Sequence, residues 1–144
     1  LMATDNGDSI ILDVERFDLE PEREIFHGNV KISESEAKNL DFKSWLSLAT
    51  KVVDPSYLTE KMQSSLLEIG KTIPTVPQLG PTANIAGAAI AFAVRSIANR
   101  QDFLSGRYLL GLDEKLIPGY NQPEKVEERR KKTELFKENF GKSH

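Results

Sequence analysis

The chain has 144 residues, 39% of them hydrophobic and 28% charged, a balance that suits one folded core and argues against wholesale disorder and against a transmembrane bundle. A formal net charge of −3 argues against a nucleic-acid binder, whose footprint is a clearly basic surface. Cysteine is absent, which excludes disulfides, thiolate metal sites and cysteine nucleophiles.

Residues 1–144 are expected to form a single domain. The opening Leu1-Met2-Ala3-Thr4 reads as an internal cut point of a longer multidomain protein, without a secretory leader. Charge is uneven along the chain: residues 1–36 hold ten acidic and three basic side chains, so the remainder is net positive by 4. "DNGDS", Asp5–Ser9, has oxygen donors around a glycine, but the strand that follows leaves a calcium loop incomplete, so it reads as a polar turn.

"SIILDVERFDL" alternates, with Ile10, Leu12 and Val14 on a core face and Ile11, Asp13 and Glu15 on a wet one; the phase slip at Arg16 suggests a bulge. "IFHGNVKIS" alternates again, which predicts an antiparallel hairpin spanning residues 9–33 with His27 on its outer face. Phe42, Trp45, Leu46, Ala49, Val52 and Val53 then follow helical spacing. Asp54-Pro55 caps a second helix with a buried stripe of Leu58, Met62, Leu66, Ile69 and Ile73.

Pro74, Pro77 and Pro81 predict a stiff connector, after which Thr82 caps a third helix, Ala83–Asn99. Its small and apolar composition points to a buried central helix rather than to a membrane span, because the uncharged helical part, Asn84–Val94 bounded by Arg95, is too short to cross. Gly87 and Ala91 would face a close neighbour, and Gly87→Leu would cost about 1–3 kcal/mol by overpacking. A strand is expected over Arg107–Asp113, a loop at "IPGYNQP", and a charged C-terminal helix within residues 123–144.

No spacing supports catalysis. His27 has no partnered nucleophile, His144 lies at the terminus, and the pairs Asp13/Glu15 and Asp113/Glu114 lack a recognisable cleft. No catalytic, cofactor-binding or metal-ligating residue is assigned, and no cofactor is expected. In the last helix, Glu127–Lys131 and Glu128–Lys132 are favourable i, i+4 pairs among contiguous basic residues, so a salt-bridged surface helix is the better reading than a phosphate-binding patch. Its sparse apolar stripe, Val126, Phe136 and Phe140, together with Arg129 and Arg130, is expected to bind the domain or a second copy, with the acidic hairpin as electrostatic counterpart.

The predicted class is α+β: an antiparallel hairpin and a later strand packed on a central three-helix segment. The alternative is a β-sandwich fragment with a helical insertion. The expected function is a noncatalytic interaction or regulatory module working through a protein partner or self-association, as a homodimer in the second case. The alternatives are a membrane-active segment of a toxin or effector and a carboxylate-based hydrolase.

Overall fold

A computed structural model describes residues 1–143; His144 lies outside them. The fold is α+β, with a three-stranded antiparallel sheet and six α-helices among the described residues. β1 (Met2–Asn6) and β2 (Ser9–Val14) form a hairpin, and β3 (Gly106–Gly111) pairs with the other side of β2. The helices are α1 (Glu34–Lys38), α2 (Phe42–Val53), α3 (Glu60–Glu68), α4 (Gly80–Ala98), α5 (Leu112–Leu116) and α6 (Pro123–Ser143).

The hairpin expected over residues 9–33 does not form, because Ile25–Ser33 makes no strand; β2 makes a hairpin instead with the preceding β1. Its tip is the "DNGDS" turn: Gly7 and Asp8 link Asn6 to Ser9, and φ is positive at Gly7 (68°), as a two-residue turn with glycine first requires. A Cβ at Gly7 would also lie 2.7 Å from the Thr59 hydroxyl. β2 ends at Val14, and Arg16–Glu20 turn back through Leu19 N–H and Glu20 N–H donating to the Arg16 carbonyl, so the expected bulge is a chain reversal. Residues 25–28 form a short 3-10 turn instead of a second strand, with no ladder partner for residues 25–33.

β2 is central and buried along its whole length. Ile10, Leu12 and Val14 pack with Ala89 and Ala93 of α4. The opposite face is not wet, as alternation alone implied: Ile11 is 1% exposed and Asp13 is 4% exposed. Over Asp13 lie the side chains of Arg107 from β3 and His27 from the turn at 25–28. A second core joins Leu46, Leu58, Met62, Leu66, Phe136 and Phe140 from α2, α3 and α6.

The helical expectations hold for α2 and α6 and shift elsewhere. Asp41 caps α2 by accepting from Ser44 N–H at 2.7 Å, but Phe42 and Trp45 stack on its exposed side instead of entering the core. Asp54 caps only the 3-10 turn, accepting from Ser56 N–H, and the chain breaks at Leu58 before Thr59 caps α3. α3 ends at Glu68, before Ile69 and Ile73. α4 starts at Gly80, so Pro81 sits in its first turn, where a missing N–H is harmless, and Thr82 is a buried helical residue donating back to Leu79 O at 2.8 Å. β3 stops at Gly111, with α5 taking residues 112–116.

Candidate interaction face

α4 is amphipathic rather than buried all round. Thr82, Ala89, Ala93 and Ser96 recur at intervals of seven, four and three and face the sheet, while Gly87, Ala88 and Ala91 look outward. A Cβ on Gly87 would meet nothing within 4 Å, which overturns the expectation of a clasped small-residue ridge. Phe92 is 52% exposed. At 19 residues α4 is also long and apolar enough to cross a membrane by length and composition, because its extra turn begins at Gly80.

The helix lies over β1 and β2 and leaves β3 partly uncovered. Between them runs a groove of about 440 Å³, lined by Leu12, Ile85, Ala88, Ala89, Phe92, Phe103, Tyr108 and Leu110, with almost no polar wall. Three rings form a row along it: Phe92 meets Phe103 edge-on at 6.2 Å, and Phe103 meets Tyr108 at 5.5 Å. The Arg95 guanidinium sits 5.4 Å from the Phe92 ring centre, so the charge at this end is partly shielded by the aromatic face.

β3 has a free outer edge. Among the described residues its backbone makes no hydrogen bond to an element beyond β2. Its one charged residue, Arg107, is turned inward and 5% exposed. Arg107 donates to Asp13 Oδ2 (2.9 Å) and to the carbonyls of Val53 (2.9 Å) and Val52, which are unpaired at the end of α2. The Tyr57 ring lies against its guanidinium at 5.6 Å.

Asp13 is thereby the centre of a charged cluster. Its Oδ1 accepts from the His27 ring at Nε2, the Arg23 guanidinium faces His27 Nδ1, and Glu15 Oε1 accepts from His27 N–H at 2.9 Å. His27 is therefore not the outer-face strand histidine expected from alternation. Neither of its ring nitrogens is open to a substrate, and Asp13 is already bonded at both oxygens, so Asp13 and Glu15 do not make an acid–base pair around a cleft. Asp113 and Glu114 stand in the first turn of α5, with Glu114 3.6 Å from Lys115. No group of three or more metal-binding side chains occurs among the described residues.

The residues named for partner binding are divided. Phe136 and Phe140 are buried in the α2–α3–α6 core, their rings 5.1 Å apart. Arg129 lies 4.1 Å above the Tyr120 ring and donates to Tyr120 O at 2.8 Å, pinning the 117–122 loop to α6. Arg130 is bidentate to Glu127 at 2.8 and 2.7 Å, and Val126 is half-exposed. Lys132 bridges to Glu60 of α3 at 2.6 Å, so the tail's charges already have counterparts within the same chain. Alternation in the sequence sets Tyr108 and Leu110 on one side of the strand, but neither they nor Phe103 are named there for partner binding. The signal available was Leu109-Leu110, two successive apolar side chains that put hydrocarbon on both faces of one short strand.

No family model matches the chain, and no solved structure matches it. An uncharacterized protein of Mycobacterium tuberculosis (strain CDC 1551 / Oshkosh) is 34% identical to it over 108 residues. The match takes in 74% of this chain and 15% of that protein's length.

Proposed function

We propose that the domain is a noncatalytic interaction module that self-associates through β3 and the groove beside α4. The observation that carries this reading is the half-covered sheet: an apolar groove and an unpaired strand edge lie side by side. Exposed edges in monomeric proteins are usually blunted by charge, and here the strand's single charge is engaged with Asp13. A second copy satisfies both features with one symmetry operation. A two-fold axis normal to the sheet and centred on Leu109 runs the two β3 strands antiparallel, keeps both α4 helices on one face, and sets Tyr108 of each copy opposite Leu110 of the other. The aromatic rows then meet across the axis.

Light scattering on the purified chain tests this, with liposome co-sedimentation in parallel. The expected result is a dimer that Leu110→Lys converts to a folded monomer, because a lysine on each side of the axis places like charges in an apolar seam. A monomeric native chain overturns self-association. Vesicle binding abolished by the same substitution would assign the face to a membrane instead.

A further inference from the structure

We propose that the groove between α4 and β3 binds the acyl chain of a medium-chain fatty acid, with Arg95 holding its carboxylate. The site goes beyond self-association and stands on the groove of a single copy.

The groove decides the body of the ligand. Of its eight lining side chains seven are hydrocarbon, and the eighth, Tyr108, spends its hydroxyl on Leu104 O at 2.9 Å. A polar group carried into the groove loses its hydrogen bonds to water and finds no replacement, which excludes sugars and nucleotides. The shape favours a chain. Ile85, Ala88 and Phe92 follow one stripe of α4 for seven residues, a length of about 10 Å, which about eight methylenes span in zigzag. The volume of about 440 Å³ suits a small ligand.

Charge decides the head. Arg95 continues the same stripe, three residues after Phe92, and its guanidinium lies 5.4 Å from the Phe92 ring centre at the end of the groove. The side chain is exposed, and among the described residues no carboxylate or carbonyl is bonded to it. Arg16, Arg107, Arg129 and Arg130, by contrast, are each bonded to a carboxylate or a carbonyl. A guanidinium takes a carboxylate through two parallel N–H···O bonds. A fatty acid with its head on Arg95 and its chain laid across Phe92 towards Ile85 therefore uses the unpaired charge and the dry groove together. A neutral chain uses only the groove.

Equilibrium dialysis of radiolabelled laurate against the whole chain tests the site. The acid is kept below its micellar concentration, and the protein dilute enough that a second copy does not compete for Tyr108 and Leu110. A monomeric chain that takes up laurate thus loses the proposed self-association and keeps this site, and a dimer without uptake at any dilution does the reverse. The expected result is saturable uptake of one acid per chain, with dodecanol bound roughly fivefold or more weakly because it lacks the charge. Arg95→Gln should lower laurate to the level of dodecanol and leave dodecanol unchanged. Ala88→Trp, at an exposed helix position, should fill the groove and abolish uptake of both, with circular dichroism checking that each variant is folded. No saturable uptake by the native chain, equal affinity for laurate and dodecanol, or an Arg95→Gln chain that binds laurate as the native chain does would each overturn the proposal. So would binding to phosphatidylcholine vesicles without uptake of free laurate, which assigns the face to a membrane.

Discussion

Asn6 ties the two halves of the fold together with a single side chain. It is fully buried at the hairpin tip, its Nδ2 donates to Tyr57 O at 2.8 Å, and its Oδ1 accepts from Thr59 N–H at 2.8 Å, while its own carbonyl accepts from Thr59 Oγ1 at 2.9 Å. Asn6→Ala takes the side-chain partner from the partly buried Tyr57 carbonyl and Thr59 N–H and leaves a cavity at a fully buried site, so it should destabilise the domain by about 1–2 kcal/mol in denaturant titration. An effect below about 0.5 kcal/mol would mean that water replaces the amide. Gly87 makes the opposite case. It lies mid-helix on the open side of α4, so Gly87→Ala should raise stability by about 0.5–1 kcal/mol by removing backbone freedom from the unfolded chain. A loss of stability would restore the clasped-ridge reading. Composition marked Gly87 as special because small residues favour close approach, but the same composition builds an ordinary exposed helix face, and only the position of the sheet separates the two.

Elements with long periodic patterns were readable, and those set by tertiary contacts were not. α2 begins and ends where its apolar spacing and the Asp54-Pro55 break place it, and α6 begins at Pro123 as expected, since both signals are local. β1 was missed because "MATDN" carries no apolar alternation; it is an edge strand paired to β2 by backbone bonds that side chains do not announce. The segment from Ile25 to Ser33 alternates as a strand should, yet His27 is drawn to Asp13 and Glu15, and the left-handed turn at 26–28 ends any ladder. The same long-range bonds hid the cluster itself, whose members Asp13, His27 and Arg107 are separated by 14 and 80 positions. α6 carries its surface pairs as the i, i+4 spacing predicted: the Lys132 ammonium bonds Glu128 as well as Glu60, and those two carboxylates hold its pKa above the ordinary lysine value.

At the scale of the whole molecule, two cores lie on opposite sides of one small sheet, and they depend on different partners. The α4 core is built on β2 and needs nothing from the tail. The other core takes two of its six buried members, Phe136 and Phe140, from α6. The tail is therefore a brace inside the protomer, and its removal reports folding before it reports assembly. Phe136 is 3% exposed, so Phe136→Ala should cost about 3–5 kcal/mol, a large share of the stability of a domain of this size. Deleting residues 123–144 should expose Leu46, Leu58, Met62 and Leu66 together and abolish the cooperative unfolding transition of α2 and α3, read by circular dichroism and amide exchange. Leu110→Lys should leave that transition intact, because the groove lies on the other face of the sheet. A tail-deleted chain that still unfolds cooperatively at the native midpoint would move Phe136 and Phe140 out of the core and return α6 to the role of an interface.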